Sequence, residues 1–412
     1  MRVVIINTGT ELLLGDVRDA HLSFVAQQIL PLGLRIQEQR TVPDGVAIRE
    51  TLEHVFPRAD LVIVTGGLGP TTDDITREIV AEVLDLQLVH DEKVMSTITE
   101  RLEKRRIPFT DRIARQADVP AGAVVLPNQN GTAPGFYLPQ NINPRIPSPH
   151  LLVLPGPPRE LQPMFRESAM PILRKIAPAS TVERRVYRIA GMGESIVERA
   201  VGKKILAIPG IELGYCARPS EVDLRILGDA GAIAGADEII RKEIGLSIFS
   251  EKDENLEQVV VKLLGGRRAT LAVAESCTGG LLAHRITNVP GSSDVFVAGY
   301  VTYANAAKID ILGVDPKSIE EHGAVSELVA RNMAEGALAR AGSTYALATT
   351  GIAGPGGGTA EKEVGTVYIA LAAPEETVAR KLFFPTDRET FKQMTAQAAL
   401  DLLRRKLLAG VA

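Results

Sequence analysis

Short apolar runs that end in glycine-bearing turns, each followed by an amphipathic stretch of helical length, recur through most of this chain. That alternation restricts the fold to a small set of α/β architectures. Val3-Val4-Ile5-Ile6, Leu61-Val62-Ile63-Val64 and Leu151-Leu152-Val153-Leu154 are continuous apolar runs, the pattern of strands buried on both faces. Helical stretches fall at residues 20–32, 46–56 and 74–84, with a further strand at 34–41. A parallel sheet covered on both faces is therefore expected for an N-terminal domain, residues 1–169.

Residues 182–249 break the pattern. They read as a strand (185–190), a helix (194–201), a hairpin (212–217 with 221–227, turning at Arg218-Pro219-Ser220) and a closing helix (232–244). This is a small α+β unit, assigned to residues 170–250. The polar run Ser250-Glu251-Lys252-Asp253-Glu254-Asn255 is the expected linker. The α/β alternation resumes over residues 251–412, with strands expected at 270–274, 295–301, 345–349, 364–372 and 378–384. Helices are expected there at 256–264, 280–286, 326–341 and 389–408.

A length of 412 residues exceeds one ordinary core, and 45% hydrophobic with 23% charged residues is a globular balance. A net charge of −4, only 4% aromatic residues and no Trp weigh against a nucleic-acid partner, which needs a basic surface and stacking platforms. The opening apolar run is too short for a signal peptide, and no run reaches membrane-helix length. Two cysteines, Cys216 and Cys277, support neither a disulfide framework nor a four-cysteine zinc site. The expectation is a cytoplasmic protein with no membrane partner.

Three segments of the C-terminal third carry chemistry. Ala274-Glu275-Ser276-Cys277-Thr278-Gly279-Gly280 lies where a strand ends and a helix begins, at the sheet edge where open α/β folds hold ligands. Its backbone N–H groups could cradle a phosphate or an oxyanion, or the turn could be a tight connection only. Lys308, closing Thr302-Tyr303-Ala304-Asn305-Ala306-Ala307-Lys308, sits at a helix start, where it opposes the helix dipole. The run Gly351-Ile352-Ala353-Gly354-Pro355-Gly356-Gly357-Gly358 follows a strand and reads as a ligand loop.

These motifs, with His322-Gly323-Ala324-Val325-Ser326, closely resemble the nicotinamide mononucleotide deamidase domain of the CinA family. The resemblance implies a three-layer α/β amidase that needs no cofactor. It gives Ser276 as nucleophile and Lys308 as the base that activates it. Thr350 and main-chain donors near Thr278 and Gly279 are candidates for the oxyanion hole and the substrate carboxamide. Tyr303 and Asn305 would orient Lys308 or the nicotinamide ring, Gly351 and Gly354 would line the ligand, and Arg388 would bind the phosphate. Cys277, though a thiol, adjoins Ser276 and is expected to be a buried packing residue.

In the N-terminal domain, Thr65-Gly66-Gly67-Leu68-Gly69-Pro70-Thr71-Thr72-Asp73-Asp74 also follows a strand and opens a helix. Glycines beside two carboxylates suggest a diphosphate bridged by a divalent metal, Mg²⁺ or similar. Asp73 is taken as the helix cap and Asp74 as the functional residue. Together with Thr8-Gly9-Thr10-Glu11, Val42-Pro43-Asp44, Asn130-Gly131-Thr132-Ala133-Pro134-Gly135-Phe136 and Leu154-Pro155-Gly156-Pro157-Pro158, this segment resembles the molybdopterin-binding fold, and more closely the N-terminal domain of the CinA family. That implies a three-layer domain with Glu11, Gly66, Gly67 and Gly69 at the ligand, Asp44 and Asp74 at the metal, and ADP-ribose as substrate. The turn Gly191-Met192-Gly193-Glu194 makes the middle unit KH-like, but its second glycine comes one residue early and Glu194 would repel phosphate. The unit is read as a spacer or dimerisation domain, with a homodimer expected. The alternatives are a pterin-binding module and a nucleic-acid or recombination accessory, the latter from the family's association with competence and DNA damage.

Overall fold

The computed structural model describes residues 1–179 and 182–409, so Ser180, Thr181 and the last three positions of the expected C-terminal domain lie outside it. Two compact units divide the chain, Met1–Val182 and Glu183–Ala412.

The first unit holds strands β1 (Arg2–Thr8), β2 (Arg35–Val42), β3 (Leu61–Thr65), β4 (Leu88–His90), β5 (Asp118–Pro120), β6 (Val124–Leu126), β7 (Gly135–Leu138) and β8 (His150–Leu154). Six form one sheet in the order β2-β1-β3-β8-β7-β6. Successive side chains of a strand face opposite ways, so one core takes Val3, Ile5, Leu61, Ile63, Leu152 and Leu154 and the other Val4, Ile6, Val62, Val64, Leu151 and Val153. Both faces are thus buried, as the continuous apolar runs require. The sheet is mixed rather than wholly parallel: β1, β2, β3 and β8 run parallel, while β7 pairs antiparallel with β8 and with β6. No helix separates β6 from β7, and only a crossover of helical length permits parallel neighbours. The helix Met170–Ile176 buries Met170 and Leu173 in this unit's core, which moves the domain boundary beyond residue 169.

The second unit carries two sheets. Strands β9 (Glu183–Ala190), β10 (Glu212–Arg218), β11 (Glu221–Gly228) and β12 (Ile248–Ser250) form an antiparallel sheet in the order β10-β11-β9-β12. β12 takes the start of the expected linker. The rest of that run is tied down as well: Arg188 on β9 donates to the Glu254 carbonyl (3.2 Å) and the Asn255 side chain (2.8 Å), and it pairs with Asp253. Asn255 then forms a capping box with Gln258 on the helix Leu256–Arg267.

Strands β13 (Leu271–Glu275), β14 (Phe296–Val301), β15 (Tyr345–Gly351), β16 (Thr366–Ala372) and β17 (Thr377–Phe383) form the other sheet, in the order β14-β13-β15-β16-β17. The first three are parallel, and β16 and β17 turn back antiparallel over helix-free connections. One face is almost all alanine: Ala272, Ala274, Ala346, Ala348, Ala370 and Ala372 pack against Ala330, Ala334 and Ala337 of the helix Glu327–Ala341. Small side chains let that helix approach closely, and through it the helix Asn305–Leu312. A β-carbon on Gly336 would lie 1.9 Å from the Leu312 carbonyl oxygen. This packing sets the height of Lys308 above the sheet.

Candidate functional site

β13 ends at Glu275, and Ser276 is the first residue past the sheet's carboxyl edge, held by its N–H to the Thr349 carbonyl (3.0 Å). Glu275 is fully buried, and its carboxylate accepts from the N–H groups of Gly280 (3.0 Å), Leu282 (3.0 Å) and Ala283 (2.8 Å). It therefore fills the N-terminus of the helix Leu281–Thr287. The Gly279 N–H is taken by the Ser276 carbonyl (3.1 Å). Of the main-chain donors expected near Thr278 and Gly279, the Gly279 and Gly280 N–H groups are thus committed internally. The Cys277 and Thr278 N–H groups remain the turn's uncommitted donors among the described residues.

Lys308 is 1% exposed on the helix Asn305–Leu312. Its Nζ lies 2.9 Å from the Thr302 carbonyl oxygen, 3.1 Å from that of Tyr303 and 3.2 Å from Ser276 Oγ. A neutral amine has two N–H groups and one lone pair. With both N–H groups donated to the two carbonyls, the lone pair is left for the serine hydroxyl. Burial lowers the lysine below its usual basicity, which favours that neutral form. Burial pushes the Cys277 thiol up to about 12, so it stays protonated and inert, whereas Cys216 is exposed.

Ser276 and Lys308 open into a cavity of about 200 Å³ whose lining includes Tyr303, Asn305, Thr350, Gly351 and Arg388, all singled out from the sequence. Ala324 and Val325 also line it, which the sequence motif contained without a stated role. Thr350 donates its hydroxyl to the Ala324 carbonyl (2.8 Å), so it offers the cavity an acceptor rather than the expected oxyanion donor. Arg388 donates to the Gly354 carbonyl and to the Tyr303 hydroxyl, both at 2.8 Å. Thr278 and Gly354 stand behind the wall: Thr278 is buried with its hydroxyl 2.7 Å from that of Thr349.

The first unit has its own cavity, about 730 Å³, at the carboxyl ends of β1, β3 and β8. Glu11, Asp44, Gly66, Gly67, Gly69 and Asp74 all line it, as expected. Gly66 has a φ of +102°, and a β-carbon there would come within 2.5 Å of the Thr8 carbonyl oxygen, so glycine is required. Burial raises the Asp44 carboxyl, opposed by the Thr10 N–H (3.1 Å) and reinforced by the negative charges of Glu11, Asp73 and Asp74. Asp73 does not cap the helix, which runs Thr76–Val83 with Ile75 at its N-cap and no side-chain cap. Asp74 instead closes the turn, accepting from the Thr71 N–H (3.0 Å) and hydroxyl (2.5 Å). Sequence reasoning missed the cations of this cavity, Arg18, Arg105 and Arg159, and a buried imidazole, His21. Arg18, Arg105 and His21 lie outside the motifs quoted from the sequence, and Arg159 directly follows one of them. Among the described residues, no group of three or more His, Cys, Asp or Glu side chains is arranged to hold a metal. No helix among them is long and apolar enough to cross a membrane.

Fold and sites together define a two-unit α/β protein with a separate cavity, carrying charged side chains in its lining, at a sheet edge in each unit. Residues 4–175 match the family described as a probable molybdopterin binding domain, and residues 253–407 match the CinA C-terminal domain. A CinA-like protein of Akkermansia muciniphila is 44% identical over 401 residues, which is 97% of this chain and 96% of the relative. A putative competence-damage inducible protein of Moorella thermoacetica is 42% identical over 418 residues, 99% of each chain. The crystal structure of the competence/damage inducible protein CihA from Agrobacterium tumefaciens aligns at 41% identity with 36% of this chain and 91% of its own, with a TM-score of 0.35. The chain belongs to the CinA family.

Proposed function

We propose that the C-terminal cavity hydrolyses the carboxamide of nicotinamide mononucleotide, releasing ammonia and nicotinic acid mononucleotide. The observation that carries this reading is the Lys308 amine, held between two carbonyls and directed at Ser276 Oγ. The lone pair takes the serine proton as Oγ attacks the carboxamide carbon. The resulting oxyanion is met by the Cys277 N–H, the donor of this turn that belongs to the cavity lining, such a donor being worth about 3 kcal/mol. Lys308 returns its proton to the departing nitrogen, ammonia leaves, and water cleaves the ester by the same proton path. Tyr303, Asn305 and the Thr350 acceptor orient the ring and its amide.

For the N-terminal cavity we infer hydrolysis of ADP-ribose to AMP and ribose 5-phosphate. Asp44 and Asp74, with Glu11 beside them, would hold a divalent ion. Mg²⁺ is commonly bound by one or two carboxylates with substrate phosphate oxygens completing the shell, and Asp44 and Asp74 would supply those carboxylates. Such an ion would neutralise the diphosphate and acidify a water. Arg18, Arg105 and Arg159 supply the positive charge that the acidic wall lacks. The likeness of residues 4–175 to a molybdopterin binding family favours a second reading, a pterin pocket.

The test is incubation of the purified chain with each nucleotide, with and without chelator. Ammonia release that ignores chelator and AMP release that requires the metal are expected. Turnover of neither substrate defeats the proposal, and pterin binding without ADP-ribose turnover selects the second reading.

A further inference from the structure

The second unit holds another cavity, larger than the one at Ser276, that neither proposed reaction uses. It measures about 690 Å³ and takes its lining from both sheets of that unit. One side is the turn Gly191-Met192-Gly193-Glu194 with the hairpin at Arg218-Pro219-Ser220, two segments so far without a role. The other side is Arg380 and Leu382 of β17, Phe384, and the helix Arg388–Ala409, which contributes Met394, Asp401 and Arg405.

Most of the charge in this lining is already matched. Arg218 donates to Glu221 (3.2 Å) and pairs with Asp223, and Arg405 donates to Asp401 (2.7 Å) and to Ser247 (3.3 Å). Two charged side chains are left over. Arg380 and Glu194 are exposed and have no hydrogen-bond or ion-pair partner among the described residues. A guanidinium free to take an anion suits a phosphate, and a carboxylate free to accept from hydroxyls suits a ribose. Met192, Met394 and Phe384 add the apolar, polarisable surface that a flat base needs. The volume falls within the range of about 300–1,000 Å³ that small-molecule sites occupy.

The lining also connects to the turn that carries Ser276. Glu221 accepts from Gln397 Nε2 (3.2 Å), and Gln397, only 3% exposed, accepts through Oε1 from Arg285 (2.6 Å). Arg285 stands on the helix Leu281–Thr287, whose N-terminus holds Glu275.

We propose that this cleft binds a nucleoside phosphate as an effector, with Arg380 on the phosphate and Glu194 on the ribose, and that occupancy reaches the amidase through Glu221, Gln397 and Arg285. The binding site stands without the amidase reading, and the effector role rests on it.

The test titrates AMP, adenosine and ribose 5-phosphate calorimetrically into the full-length chain. Ammonia release is followed in parallel at saturating nicotinamide mononucleotide, with and without AMP. AMP should bind more tightly than either fragment. Arg380→Ala, a change at an exposed side chain, should weaken one AMP site per chain about tenfold, roughly the loss of one charge-assisted contact. Ala398→Trp, which fills the cavity, should remove the same site. The kcat for ammonia release should shift with AMP, and Gln397→Leu should abolish that shift while AMP still binds. No AMP binding, AMP binding that ignores both Arg380→Ala and Ala398→Trp, or tighter binding of a short single-stranded RNA overturns the site. An Arg380-dependent AMP site that leaves ammonia release unchanged overturns the effector role. The same site in a chain that releases no ammonia under any condition overturns the amidase reading and leaves the binding site standing.

Discussion

Burial holds the Lys308 amine below its ordinary value of 10.5, and this separates activity from stability. The proposed mechanism needs the neutral amine, so kcat/KM for ammonia release should rise with pH through a lysine pKa lower than that of a free side chain. For folding, the unfolded chain binds the extra proton in the window between the folded pKa and 10.5, so this residue's contribution improves as pH climbs through that window. Below the window it opposes folding. Lys308→Met should therefore cut ammonia release by about 10²–10⁴-fold while the melting midpoint at pH 7 holds or rises. Parallel loss of both would make the lysine structural. At the neighbouring pair, Ser276→Ala should abolish ammonia release and Cys277→Ala should keep most of it, because a thiol pushed up to about 12 is no nucleophile at neutral pH. The reverse pattern would transfer the nucleophile to the cysteine.

At the scale of elements, Glu275 ties the turn that carries Ser276 to the helix that follows it. Glu275→Ala should strip three N–H groups of their acceptor and cost about 2–3 kcal/mol, read as a lower urea midpoint with an unchanged slope. Gly336 has the matching role for Lys308. Gly336→Ala should force the helix Asn305–Leu312 away, costing about 1–3 kcal/mol and more activity than that stability loss explains. Elements were largely legible where apolar runs and helical periods were strong, as in β3, β13 and the helix Glu327–Ala341. The short β12, the antiparallel turn-back of β7, β16 and β17, and the late start of the helix Thr76–Val83 were not. Those features depend on which partner strand or turn claims a residue, and local pattern does not encode that. Likewise the motifs around Ser276 and Lys308 were readable, but Glu275's capping role and Arg18, Arg105 and His21 depend on contacts made across the fold.

For the whole molecule, the two cavities differ in size and in charge. One is small and built around a buried lysine amine, and the other is large, with carboxylates and guanidiniums in its lining. In the intact chain, chelator should abolish AMP release and spare ammonia release, while Ser276→Ala should do the opposite. A substitution or reagent that stops both reactions together would mean the sites are not chemically independent. The contrast between the two thiols bears on how such experiments can be followed. With Cys277 sealed inside its sheet edge and Cys216 open to solvent on β10, a maleimide fluorophore should attach at a single position. The native sequence therefore already carries one attachment point for an optical reporter on the small antiparallel sheet, with the turn that holds Ser276 left unlabelled.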